Sequence, residues 1–132
     1  MIWQHFVEEM SLLARRIEGQ PDIIVSLVPG GMVPAQLLAC ALSVNDIYGL
    51  TVSNHGVAAR LETKILESVA EKKVLLVTDL IESGIRMNEA KGYLKAQGAE
   101  VKTACLYILA NAGFKPDFML QELGYRIPFP WE

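Results

Sequence analysis

The sequence predicts an α/β fold: a mostly parallel sheet flanked by helices, in a single domain spanning residues 1–132. Three observations predict it. Short branched apolar runs at 22–28, 74–78 and 101–109 alternate with segments of helical period. The first two runs each end at a glycine break, "PGG" and "ESG", ahead of a helix start. Strands alternating with helices imply right-handed crossovers and a parallel sheet covered on both faces.

The elements follow in order. Trp3, Phe6, Val7, Met10, Leu13, Ala14 and Ile17 recur at helical spacing, with Glu8 and Glu9 early and Arg15 and Arg16 late, as the helix dipole favours. Gly19 and Pro21 stop this helix. After the strand at 22–28, residues 32–42 form a second helix, with Pro34 tolerated in its first turn and small residues (Ala35, Ala39, Ala41) for close packing. A strand follows at 46–53, ended by Asn54-His55-Gly56. Residues 57–73 read as a polar excursion with partial helical character. After the strand at 74–78, Met87, Ala90, Leu94 and Gln97 mark a helix face closed by Gly98. The strand at 101–109 precedes two short extended pieces, 117–120 and 125–129.

Composition excludes several function classes. A net charge of −3 leaves no basic face for nucleic acid or an anionic membrane. The longest apolar run, 32–42, is interrupted by Gln36 and is too short to span a bilayer. The start, "MIWQHFVEEM", lacks a basic leader region, so a cytoplasmic location is expected. Cys40 and Cys105 both sit in apolar segments and are expected to be buried free thiols. His5 falls on the solvated side of the first helix, and His55 in a loop; neither is assigned a role.

Chemistry concentrates at the two glycine breaks. In a parallel sheet, ligands bind outside the carboxyl ends of the strands, so both breaks should face one crevice. At 82–87 the chain enters a helix, and its first N–H groups, lacking partners within the helix, form an anion site. Gly84 lets an anion approach the backbone, Ser83 offers a hydroxyl and Arg86 a positive charge. Asp79, at a strand tip, suits sugar hydroxyls or a metal ion. An acid beside an anion cradle fits a phosphorylated sugar.

The stretch resembles the phosphoribosyl diphosphate (PRPP) motif of type I phosphoribosyltransferases: four apolar residues, two acids, two residues, an acid, Ser/Thr-Gly, any residue, then Ser/Thr. Here it reads Val74-Leu75-Leu76-Val77, Thr78-Asp79, Leu80-Ile81, Glu82-Ser83-Gly84-Ile85-Arg86. "DIIVSLVPGGMVPAQLLA" is similar to the family's diphosphate loop, and "KPDFMLQELGYRIPFPWE" to the close of short purine-type members. The resemblance implies a Rossmann-like type I phosphoribosyltransferase fold with a reduced hood. It implies transfer of the phosphoribosyl group of PRPP to a 6-oxopurine, giving a nucleoside monophosphate and diphosphate.

Residue by residue, the resemblance places Thr78 and Asp79 at the ribose, with Asp79 as a ligand of the Mg²⁺ that accompanies PRPP. Glu82 becomes the acid near N7 of the base, a proton-transfer group. The loop Glu82-Ser83-Gly84-Ile85-Arg86 would hold the 5′-phosphate, and Pro29, Gly30 and Gly31 the diphosphate. Phe129 or Trp131 would contact the base, although Trp131 could equally fill core or a dimer contact. A homodimer is expected, since Ile127, Phe129 and Trp131 crowd a short tail. The resemblance also implies a cis peptide after the first strand, which proline accommodates easily, so Val28–Pro29 is expected to be cis.

Four positions depart from the family pattern. Thr78 replaces an acid, Arg86 a Ser/Thr, Pro29 a basic residue, and Leu109 or Asn111 the lysine that reads the purine 6-oxygen. A catalytically impaired, nucleotide-binding relative is therefore the second reading. A response-regulator receiver shares the sheet order but needs an acid pair at the end of its first strand, whereas Asp22 stands at the start.

Overall fold

A computed structural model describes residues 1–55 and 58–132. The elements are α1 (Trp3–Arg16), β1 (Ile23–Val28), α2 (Met32–Leu42), β2 (Asp46–His55), β3 (Ala58–Leu61), β4 (Lys73–Ile81), α3 (Ile85–Ala96), β5 (Glu100–Leu109) and β6 (Phe118–Leu123). One six-stranded sheet runs in the order β3-β2-β1-β4-β5-β6, parallel except for the β2–β3 hairpin.

Each helix buries one stripe against the sheet. Phe6, Met10 and Leu13 of α1 join Ala35, Leu38 and Ala39 of α2 on one face. Met87, Ala90 and Leu94 of α3 cover the other. The central strands β1 and β4 are buried on both sides and correspondingly rich in branched residues, as a doubly covered parallel sheet demands. α3 ends where Gly98 turns to φ +92°, with the Ala99 N–H donating to Leu94 O at 3.1 Å.

Three expectations are corrected. Gly56 and Val57 lie outside the described residues; after them the excursion carries the edge strand β3 and no helix in its described part. Its side chains alternate between half-buried and exposed, a strand period too short for sequence patterning to resolve. The tail forms one strand, β6, rather than two pieces. The Asp117 carboxylate sets its start by accepting the Thr103 N–H (2.8 Å) and hydroxyl (3.2 Å) on β5. Finally, Cys105 is buried as expected, but Cys40 is exposed on the outer side of α2; both thiols are free. No helix among the described residues is long and apolar enough to cross a membrane.

Candidate functional site: a crevice between two glycine loops

The strand order reverses between β1 and β4, and both glycine loops lie at their carboxyl ends. They do share one crevice. A Cβ added at Gly30 would come within 2.7 Å of the Asp79 carboxylate near the end of β4, and Pro29, Gly30, Asp79 and Glu82 line one pocket. Two adjoining pockets open there. The first, about 190 Å³, is lined by residues 80–87 together with Leu27 and Asn54. The second, about 350 Å³, lies between Pro29, Gly30, Asp79, Leu80, Glu82, Arg86, Arg126, Trp131 and Glu132. A smaller hollow of about 150 Å³ sits at the opposite end of the sheet, against Pro21, Val74 and Phe118, far from both loops.

The first pocket has the form of an anion cradle. Gly84 takes φ +92° immediately before α3, which frees the first turn of the helix to face the pocket. Phe114 presses on this glycine: a Cβ there would stand 2.2 Å from its own Cβ. The Gly113 N–H donates to Ser83 O at 2.9 Å, so the turn after β5 braces the loop from behind. The Ser83 hydroxyl accepts the Ile85 N–H at 3.3 Å, and Arg86 borders both pockets.

The second pocket is built from side chains. Asp79 is 8% exposed, and burial pushes its carboxyl above the usual range despite the 2.6 Å hydrogen bond from the Leu80 N–H. Thr78 is buried behind it, with its hydroxyl 3.5 Å from Asp79 Oδ1, and borders neither pocket. Val28–Pro29 is cis, as expected. Gly31, however, is not free to hold an anion: its N–H donates to Leu27 O at 2.7 Å, and the residue is buried beneath the loop. Only Pro29 and Gly30 of the three reach the pocket, and Pro29 has no N–H.

The tail divides the two aromatic candidates. Phe129 is 2% exposed, stacked between Tyr107 (centroids 5.9 Å apart) and Trp131 (4.9 Å), so it supports the pocket wall without lining it. Trp131 borders the pocket while also packing edge-on against Phe6 at 4.9 Å. Burial of Phe129 follows from its neighbours: Tyr107, at the end of the β5 core, offers a flat apolar face that water cannot profitably cover.

Sequence reading missed two residues. Arg126 donates through Nε to Glu82 Oε1 at 3.0 Å and through Nη1 to Glu132 Oε1 at 3.1 Å, while Nη2 meets Glu132 Oε2. The Phe129 N–H also donates to Glu132 Oε1, at 2.8 Å. The Arg126 hydrogen bond and this N–H hold the Glu132 carboxyl below its usual range, and the guanidinium is pushed further up by its own hydrogen bonds to Glu132 and Glu82. One cation followed six residues later by an acid, in an otherwise apolar tail, was the available signal. Neither Leu109, which ends β5, nor Asn111, at φ +72° in the next turn, borders either pocket.

Residues 4–122 match the phosphoribosyl transferase domain family. The chain belongs to that family. Its domain is 26% identical over 128 residues to the hypoxanthine-guanine phosphoribosyltransferase of Aquifex aeolicus, covering 88% of this chain and 72% of that one. Its fold superposes on the purine phosphoribosyltransferase of Pyrococcus horikoshii with a TM-score of 0.92 at 26% identity, over 100% of this chain and 92% of the other. The Helicobacter pylori xanthine-guanine-hypoxanthine enzyme shares the fold at 21% identity, with a TM-score of 0.88 over 99% and 90% of the two chains. The domain is thus purine phosphoribosyltransferase-like.

Proposed function

We propose that the protein transfers the phosphoribosyl group of PRPP to a 6-oxopurine base, giving a nucleoside monophosphate and diphosphate. The observation that carries this reading is the convergence of the anion cradle at 82–87, the acid Asp79 and the tail on one crevice. The 5′-phosphate would rest on the backbone of Ser83, Gly84 and Ile85, taking the Ile85 N–H in place of the Ser83 hydroxyl, with Arg86 adding charge. Asp79 would hold the ribose hydroxyls, its hydroxyl neighbour Thr78 acting only through it. Trp131 would border the base. Glu82 has one oxygen bound by Arg126 and would offer the other to the base N7, moving a proton as the C1–diphosphate bond breaks and the C1–nitrogen bond forms.

Asp79 supplies one carboxylate, which suits a Mg²⁺ that arrives already held by the phosphates of PRPP. When bound, the ion would offset charge on the departing diphosphate. Among the described residues no cluster of three or more metal-ligating side chains exists, so those residues alone do not cage a metal. Self-association as a homodimer is proposed on the exposed side of α1, where Ile2, Trp3, Val7 and Leu12 are each 46–69% exposed. Of the tail residues expected at a dimer contact, Phe129 is buried within the chain and Ile127 and Trp131 are half-buried. A cytoplasmic location fits the substrates.

A second reading has its own support. The diphosphate loop offers no charge at Pro29, spends the Gly31 N–H on Leu27, and faces the Asp79 carboxylate. A relative that keeps the monophosphate cradle and binds nucleotide without turnover would have this site. Calorimetry with PRPP, GMP and IMP, followed by an assay of hypoxanthine and guanine consumption, separates the two. Product from PRPP and either base supports the transferase. Tight monophosphate binding with no turnover supports the second reading, and no binding of any of these ligands overturns both.

A further inference from the structure

The site lacks the group expected to recognise a purine 6-oxygen, yet a donor stands nearby. Leu109 is apolar, and neither it nor Asn111 reaches the pocket. The polar groups around the second pocket are mostly acceptors: Asp79, Glu82 and Glu132. Its two cations are Arg86, which also borders the phosphate cradle, and Arg126, beside Trp131 on the base side. We propose that Arg126 donates to the 6-oxo group of the base and thereby selects 6-oxopurines over 6-aminopurines. This inference rests on the purine-type reading of the same site.

The geometry supports it in three ways. A guanidinium has five N–H groups in a fixed fork. Three of them are engaged, one by Glu82 and two by Glu132, which fixes the plane and leaves two for a ligand. Second, Arg126 Nε lies 3.0 Å from Glu82, the acid proposed to meet N7. In a 6-oxopurine, N7 and O6 share one edge, so a donor beside Glu82 also stands beside O6. Third, arginine donates readily to a purine O6, and a single free N–H of the fork suffices while Glu82 keeps N7. A 6-amino group would turn N–H against N–H there and leave donors unpaired, the arrangement by which a polar site rejects an analogue.

Calorimetry on the parent should show GMP and IMP binding at least tenfold more tightly than AMP. The monophosphate of 2-aminopurine riboside, which lacks the 6-oxo group, should bind as weakly as AMP. Arg126→Met should bring GMP and AMP within about threefold of each other, by weakening GMP. Arg126→Lys, which keeps a donor, should recover part of the preference. Thermal melting establishes that each variant is folded, and the parent comparison stands even if the methionine variant is not. Equal binding of GMP and the 2-aminopurine nucleotide to the parent overturns the inference alone. So does a folded Arg126→Met that keeps its GMP preference. Failure of every monophosphate to bind overturns the site reading as well.

Discussion

The two halves of the crevice are made of different material. The cradle at 82–87 is main chain: a glycine in the left-handed region, a helix start, and a bracing turn that holds Ser83 and Gly84 from behind. The half formed by Pro29, Gly30, Asp79, the Glu82 side chain and the tail depends on side chains, and there the chain departs from the family pattern at Pro29 and places Arg126 against two acids. Backbone donors survive any substitution that keeps the fold, whereas a side-chain site can lose its chemistry one residue at a time. The lesson is that the cradle speaks for phosphate binding, and only the other half can speak for turnover.

Breaking the side-chain half should give the largest effect. If the transferase reading holds, Glu82→Gln should lower kcat by about 10²–10⁴-fold and leave PRPP affinity within a few-fold. The carboxylate acts on the base and not on the phosphates, and glutamine can still accept from Arg126. Parallel losses in kcat and PRPP affinity would make Glu82 a structural partner of Arg126 and nothing more.

The next effect tests the floor that the two halves share. A Cβ at Gly31 would meet Val77 O at 2.4 Å and Leu27 O at 2.8 Å, both backbone atoms of strands that cannot easily retreat. Gly31→Ala should therefore cost about 1–3 kcal/mol of stability, read from the denaturant midpoint. An unchanged midpoint would show that the loop is looser than its contacts indicate.

Much of this architecture was legible beforehand, for identifiable reasons. β1 and β4 are doubly covered, so their apolar runs stood out, and Met32–Leu42 follows a glycine pair. β3 was not legible, because an edge strand with alternating partial burial carries almost no hydrophobic signal. The cradle could be read from glycine and helix start alone. Gly31 could not: whether a loop N–H faces a ligand or its own strand is decided by the turn, and here it closes on Leu27. Arg126 escaped notice because its partners, Glu82 and Glu132, come together only once the tail folds back across the crevice.

The cradle half calls for a gentler probe. Replacing Gly84 would strain a φ of +92° and strike Phe114, so loss of binding there would not separate site from fold. Arg86→Met keeps the backbone and removes only charge. GMP affinity should fall by about tenfold, or about 1.4 kcal/mol, and the remaining binding should depend less on salt. Unchanged affinity and salt dependence would mean that the main chain holds the phosphate unaided.

The smallest effects compare the two acids of the side-chain half through pH. Burial raises the Asp79 carboxyl above its unfolded value, so folding favours its protonated form. The resulting destabilisation is absent below the unfolded pKa, about 3.9, and grows as pH rises through the folded value. Asp79→Asn should accordingly melt above the parent at pH 7, with the advantage vanishing towards pH 4. Glu132 has the opposite sign: Arg126 lowers its carboxyl, so its stabilisation is present above the unfolded value, about 4.3, and is lost as pH falls through the folded one. Because the pair is largely exposed, Glu132→Gln should cost only about 0–1 kcal/mol at pH 7, fading in acid. Melting curves of both variants across pH 3–8 should therefore diverge in opposite directions from the parent as pH rises. An acid that weakens the fold yet lines a crevice is explained by what it binds, and Asp79→Asn should lose GMP affinity while gaining stability. If it gains neither stability nor loses affinity, Asp79 is not the ribose ligand.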